Sequence, residues 1–275
     1  MRLGNASWGF RETSIKEQFE ITRSMGLDVL ELGIANAGTK GEITTDITDE
    51  QIKELLSMSE AYGADVICAA TGNDFTTGND DIPKIKKVID ICKKLGIKYL
   101  RIFTGFTPLC DITDEIFDAM IKSLCEVCNY AKENDVVPVI ETHGAVNGYD
   151  DGVEHIMSTT TDLDTLQKIL RLLPDNVKVC FDPANLYAVG VKEPEKVYNE
   201  IKDRVAYAHF KDFKPIPSGH LKPSFCGDSD MNWKAILDAM KDFDGFAVLE
   251  YENVEDIKDG LEKSLDYIKG VSENE

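Results

Sequence analysis

Long apolar runs are missing from the sequence. No stretch approaches the ~18 apolar residues that a membrane-spanning helix needs, and Met1-Arg2-Leu3-Gly4 leads directly into a strand-like segment without a leader pattern. A cytoplasmic protein that does not engage membranes is therefore expected. Basic residues are scarce as well, with 30 Lys and Arg against 50 Asp and Glu and a formal net charge of −20. Such a field repels phosphate backbones, and no local basic patch offsets it, which argues against nucleic-acid binding. It also disfavours a heavily phosphorylated substrate, although one lysine can still hold one phosphate. Paired cysteines are lacking: the seven are odd in number, and Cys68, Cys110, Cys180 and Cys226 stand alone. Cys125 and Cys128 form a CxxC, but it falls mid-helix and no second pair follows at zinc-ribbon spacing, so reduced cysteines acting as small apolar residues are expected. Only four histidines are present. No Pro/Ser linker or low-complexity stretch divides the chain.

What is present is a repeating unit, an apolar or β-branched run, a turn, then a segment of helical period. The strand-like runs are Arg2 to Ser7, Asp28 to Gly33, Asp65 to Ala70, Lys98 to Thr104, Val136 to Glu141, Val177 to Asp182, Val205 to Lys211 and Phe246 to Glu250. Helical segments follow at Ile15 to Met25, Asp49 to Tyr62, Ile82 to Leu95, Thr113 to Asn134, Asp164 to Leu173, Pro194 to Lys202, Trp233 to Lys241 and Val254 to Lys269. Near-continuous apolar strands alternating with helices imply a parallel sheet buried on both faces. About eight such units in 275 residues predict an α/β fold, a single-domain (β/α)8 TIM barrel of ordinary size, with a doubly wound open sheet as the alternative. Two connections, Thr142 to Leu163 and Asp212 to Asn232, exceed the usual ~2–6 residue βα loop and follow strands at their C-terminal ends, where barrel active sites form.

Chemistry-bearing residues end the late strands. The fifth ends at Glu141, the sixth at Asp182, the seventh carries His209 and the eighth ends at Glu250, each after an apolar run. A strand-ending carboxylate commonly caps the next helix. Three converging on one barrel mouth, however, repel one another unless a cation sits among them. Three hard oxygen donors and one imidazole suit a divalent metal ion, whether Mn²⁺, Mg²⁺, Co²⁺ or Zn²⁺.

The stretches VIETHG at Val139 to Gly144, CFDPANL at Cys180 to Leu186, AHFKDF at Ala208 to Phe213, FCGDSDMNWKAIL at Phe225 to Leu237 and VLEYE at Val248 to Glu252 resemble the xylose-isomerase-like barrels, with GLDVLELG at Gly26 to Gly33 a weaker echo. That family includes sugar-phosphate isomerases, ketose epimerases, inosose dehydratases and AP endonuclease barrels. The resemblance implies that Glu141, Asp182, His209 and Glu250 are metal ligands, and that Glu141 and Glu250 are also the acid/base pair. It implies a metal-dependent isomerase or epimerase that moves a proton next to a carbonyl through a metal-stabilised enediolate, acting on a small sugar, sugar phosphate or polyol, and it suggests a homodimer or homotetramer. An inosose-type dehydratase and an inactive sugar-binding barrel are the alternatives. The sequence departs from the epimerase pattern at Asn185, where a histidine is usual, at Asn147, where an acid is usual, and at Cys226-Gly227-Asp228 and Asn232-Trp233. The small number of histidines disfavours the endonuclease type, which uses a histidine-rich multi-zinc cluster.

Further substrate-binding candidates are Glu31, at the end of the second strand, Arg101 in the fourth, Asn185, His143 two residues past Glu141, and Lys211 two past His209. Trp8 and Phe10 offer an apolar wall for a sugar face, against plain packing at the barrel rim. His155 and His220 read as surface residues in the long connections.

Overall fold

The computed structural model describes residues 1–36, 40 and 43–273. Its elements in chain order are β1 (Arg2–Asn5), α1 (Ile15–Ser24), β2 (Val29–Gly33), α2 (Asp49–Tyr62), β3 (Asp65–Ala70), α3 (Ile82–Leu95), β4 (Tyr99–Ile102), α4 (Asp114–Glu133), β5 (Val137–Glu141), β6 (Ala145–Tyr149) and β7 (Gly152–Ile156). There follow α5 (Leu163–Leu172), β8 (Lys178–Phe181), α6 (Pro183–Ala188), α7 (Pro194–Ile201), β9 (Val205–Phe210), β10 (Asp212–Pro215), β11 (Leu221–Ser224), α8 (Trp233–Ala239), β12 (Phe246–Leu249) and α9 (Ile257–Glu273). Eight parallel strands close in the order β1-β12-β9-β8-β5-β4-β3-β2, so the expected (β/α)8 barrel forms.

Local chemistry sets the helix ends. Ser14 with Glu17 and Thr48 with Gln51 make capping boxes at α1 and α2, each satisfying two backbone N–H groups the helix itself leaves free. Gly63 and Gly96 end α2 and α3 in the left-handed conformation, at φ 61° and 70°, which glycine adopts without a Cβ penalty.

Strand phase builds two apolar layers. Ile140, Phe181, Ala208, Phe210 and Leu249 point outward into the core between barrel and helices. Their neighbours one residue away point inward: Val29, Cys68, Val139, Cys180, Tyr207, Phe246 and Val248 fill the lumen. Tyr207 stacks on Phe246 at 4.9 Å between centroids, and both lie against Tyr99. The lumen below the site is therefore closed by packed side chains.

The two long connections differ from their reading as loops. They hold β6, β7, β10 and β11, which pair as one antiparallel sheet in the order β10-β11-β7-β6. The β6–β7 hairpin turns at Asp150-Asp151, with Tyr149 opposite Gly152. Its strands lack the strict apolar–polar alternation that marks a half-buried strand, because β6 is an exposed edge. The short helix α6 is also absent from the sequence reading, since six residues that begin with a proline carry too little periodicity to announce a helix.

Candidate metal centre

Two residues beyond each lumen-filling apolar side chain, the same strand face carries a polar one. Val139 is followed by Glu141, Cys180 by Asp182, Tyr207 by His209 and then Lys211, Val248 by Glu250, Val29 by Glu31, and Tyr99 by Arg101. All seven polar residues are at most 3% exposed. One ligand atom from each of Glu141, Asp182, His209 and Glu250 lies within 4.8 Å of the others. The structure thus brings together the four side chains expected to hold a metal.

Hydrogen bonding inside the cluster is uneven. His209 Nε2 stands 2.9 Å from Glu31 Oε2, while His209 Nδ1 has no hydrogen-bond partner although Glu250 Oε2 is 3.3 Å away and Glu141 Oε1 3.6 Å away. Asp182 Oδ1 accepts from the Asn185 backbone N–H at the start of α6, whereas Asp182 Oδ2 is buried without a hydrogen bond. Asp182 therefore caps a helix with one oxygen and leaves the other facing the cluster, so its capping and ligand readings are compatible. A buried imidazole nitrogen and a buried carboxylate oxygen, both without a hydrogen bond and beside two further carboxylates, fit a divalent cation.

Two cations flank the acids. Arg101 Nε is 3.1 Å from Glu141 Oε2, its Nη1 donates to the Thr71 carbonyl, and its guanidinium lies 4.1 Å from the Phe103 ring centroid. Lys211 Nζ contacts Glu250 Oε2 at 2.7 Å, Glu252 Oε1 at 2.9 Å and Asp182 Oδ2 at 3.3 Å. Asn185 Nδ2 donates to Glu141 Oε1 at 3.0 Å. Burial alone would raise the Glu141 carboxyl, but Arg101 and His209 outweigh it and bring it down to about 2. Asp182 is pushed up to about 7, by burial first, against the pull of Lys211. For Lys211, burial favours the neutral amine, but Asp182, Glu250 and Glu252 prevail and hold the ammonium well above its usual range.

Glu31 lies below His209, fully buried, with Ser7 and Tyr207 hydroxyls on its two oxygens. His143 packs its ring against Phe103 and Phe106 at 5.0 and 5.5 Å, beside the cluster. Trp8 sits half-buried on a 3₁₀ turn after β1, with the Arg11 guanidinium 5.1 Å from its ring, while Phe10 is buried in the outer core. Glu252, Tyr207, Ser7 and the Phe103–Phe106 pair were not singled out from sequence. Glu252 carried the signal, standing two residues past Glu250 with its side chain on the same Lys211.

His155 corrects the sequence reading as a surface residue. Pairing of β7 with β6 and β11 turns it inward, where its ring lies 4.6 Å from Phe213 and 6.3 Å from His143. His220 remains partly exposed, bonded to Asp151 and stacked on Tyr149. Burial, then the neighbouring His143 and Lys211, lower the His155 pKa to about 3. The unfolded chain protonates this imidazole near pH ~6.5 and the folded one does not. Its contribution is thus intact above ~6.5 and is lost progressively as pH falls toward 3. From pH 7 to 5 the loss amounts to about 2 kcal/mol, at roughly 1.4 kcal/mol per unit. A His155→Phe protein is expected to lose that much less stability over the interval, measured by urea unfolding at each pH. Equal slopes would show that His155 takes up a proton in the folded state.

Among the described residues no helix is long and apolar enough to cross a membrane. Known proteins share this architecture. The structure of a probable 3-DHS dehydratase, AsbF, involved in petrobactin synthesis in Bacillus anthracis, superposes with a TM-score of 0.78 at 15% identity, covering 98% of this chain and 99% of that one. An L-ribulose 3-epimerase matches at TM-score 0.75 and 13% identity over 99% and 95% of the two chains. The IOLI protein, solved with a bound zinc atom, matches at 0.74 and 18% over 100% and 97%. At such identities these likenesses establish the fold alone. No curated protein sequence matches the chain. The sequence model for the xylose isomerase-like TIM barrel, in contrast, matches residues 19–271. With a closed eight-stranded barrel and that match over nearly its whole length, the chain belongs to the xylose isomerase-like TIM barrel family.

Proposed function

We propose that the chain is a divalent-metal-dependent isomerase or epimerase that moves a proton at the carbon next to a carbonyl of a small sugar, sugar phosphate or polyol. The observation that carries this reading is the buried Glu141–Asp182–His209–Glu250 cluster, whose ligand atoms lie within 4.8 Å of one another and in which Asp182 Oδ2 and His209 Nδ1 have no hydrogen bond. A divalent ion held by these four side chains supplies Lewis-acid polarisation of the substrate carbonyl, which acidifies the adjacent C–H. Glu141 begins as the ionised acceptor, its two oxygens aimed by Arg101 and Asn185. Arg101 and His209 keep this carboxylate ionised against its burial, so it is available to accept a proton. Glu250 faces the same space and returns or removes the proton from the other side. Arg101, Asn185, His143, Lys211 and Trp8 are assigned to substrate contact and orientation around these two.

One observation favours a dehydratase as the second reading. Lys211 Nζ, 2.7 Å from Glu250, is a proton donor beside the base. It can protonate a departing β-hydroxyl while the carboxylate takes the α-proton, so that water leaves and a C=C bond forms. The similarity to a probable 3-DHS dehydratase agrees with this chemistry.

Both readings are tested by incubating the Mn²⁺-loaded protein with ketoses and inososes in D₂O and following the proton spectrum. Exchange of the α-proton with a new epimer or aldose is expected. Exchange accompanied by loss of water and an enone absorption assigns the dehydratase. Absence of exchange throughout the panel removes enzymatic enolisation of these substrates and favours a sugar-binding barrel.

A further inference from the structure

We propose that Glu31, backed by Tyr207 and Ser7, is a positioning residue that fixes the tautomer of His209 and so aims its Nδ1 lone pair into the Glu141–Asp182–Glu250 cluster. The inference rests on reading that cluster as a metal centre. Glu31 stands on β2 and His209 on β9, which are separated along the barrel wall by β1 and β12, so their contact spans the lumen. Tyr207 Oη donates to Glu31 Oε2 at 2.9 Å and Ser7 Oγ donates to Oε1 at 3.3 Å. With two hydroxyl protons already directed at it, Glu31 serves as an acceptor. The third hydrogen bond, 2.9 Å from His209 Nε2, is then donated by the imidazole.

A neutral imidazole that carries its proton on Nε2 has a bare Nδ1. That nitrogen is buried, lacks a hydrogen-bond partner, and looks toward Glu250 and Glu141 oxygens at 3.3 and 3.6 Å. Burial works against a charged ring, but Cys180, Glu250, Glu31 and Glu141 prevail and hold the imidazole well above its usual range, so a divalent ion takes the place of the Nδ1 proton. Placed at the base of the cluster, Glu31 therefore decides whether the fourth ligand is available. Beneath it lie Val29, Tyr207 and Phe246, so the acceptor position is walled by apolar packing and rings. Carboxylates that hold the distal nitrogen of a ligating histidine are a general device for orienting the ring and raising its basicity. Here the device is assembled from strands two and nine, with a tyrosine of the ligand's own strand bracing the carboxylate.

The decisive variant is Glu31→Gln, which keeps the shape but presents an amide N–H₂ that can donate to Nε2. The imidazole proton is then displaced to Nδ1, into the ligand position. Two readouts separate this from a merely structural loss. In metal-free protein with ¹⁵N-labelled histidine, brought to the alkaline pH at which His209 has given up one of its two ring protons, the Nε2–H tautomer is expected in wild type and a substantial Nδ1–H population in Glu31→Gln. Zinc affinity, measured by chelator competition, is expected to fall roughly 10–100-fold in Glu31→Gln and several-fold in Tyr207→Phe. A Glu31→Gln protein with wild-type zinc affinity and an unchanged tautomer overturns the proposal. Should that variant fail to fold, Tyr207→Phe decides: unchanged affinity and tautomer overturn it equally. The two readings also fail separately. Wild-type protein with His209 as Nδ1–H sinks the positioning role whatever it binds. Wild-type protein with Nε2–H but no zinc uptake sinks the metal centre on which the inference rests.

Discussion

His209→Ala and Glu250→Ala proteins are expected to fold and to lose the divalent ion that wild type takes up at about one per chain. Each substitution deletes one of four ligand side chains packed within 4.8 Å, none more than 2% exposed. The loss should exceed the roughly 10–100-fold that removal of an outer partner costs. Folding is expected to survive because the metal-free cluster is already crowded with acids. Glu250→Ala relieves that repulsion and leaves Lys211 paired to Glu252 at 2.9 Å and near Asp182 at 3.3 Å. Thermal unfolding gives the sign. Wild type gains stability as RT ln(1 + [L]/Kd), about 4 kcal/mol at 1,000 times Kd, so its melting temperature rises with added Mn²⁺ or Zn²⁺. The variants should melt close to metal-free wild type and show no such rise. Elemental analysis of the same samples supplies the stoichiometry. Wild type that takes up no ion, even after soaking in Mn²⁺, would move the protein to a ligand-binding barrel.

The cluster was legible because a strand repeats every two residues. A run such as Val-Pro-Val-Ile-Glu or Phe-Ala-Val-Leu-Glu places its last residue on the lumen face in phase with an apolar residue two earlier, and Val139–Glu141 and Val248–Glu250 do so in the structure. Closure into a barrel then brings successive strands to one mouth. What phase cannot supply is depth. Glu31 and Arg101 share the lumen face with the ligands, yet one lies beneath His209 and the other beside Glu141, a distinction set by barrel stagger. Asn185 was visible as a departure from a family pattern, but its bond to Glu141 depends on α6, a helix too short to show periodicity. The sheet of β6, β7, β10 and β11 escaped because its pairing joins segments far apart in the chain, as Val153 with Leu221. Only that long-range pairing turns His155 inward.

Glu141→Gln, assayed at saturating metal, is expected to lose turnover by roughly 10²–10⁴-fold, the range for removal of a positioned acid or base. Glutamine keeps the volume and can still accept from Asn185 at the Oε1 position, so orientation is largely preserved. It cannot accept a proton. It also leaves the Arg101 guanidinium, now 3.1 Å from a carboxylate oxygen, without its charge partner, which weakens binding in addition to chemistry. Proton exchange separates these effects. If Glu141 and Glu250 work on opposite faces of the substrate, Glu141→Gln abolishes α-proton exchange from one epimer and retains it from the other, where Glu250 is the base. Interconversion is lost in both directions. If a single glutamate carries the proton across one face, as in aldose–ketose isomerisation, exchange disappears from both partners together. A Glu141→Gln protein with intact turnover would remove Glu141 from proton transfer and leave it as a ligand alone. The three patterns are mutually exclusive, so one pair of substrates in D₂O distinguishes an epimerase from an isomerase within the same cluster of side chains.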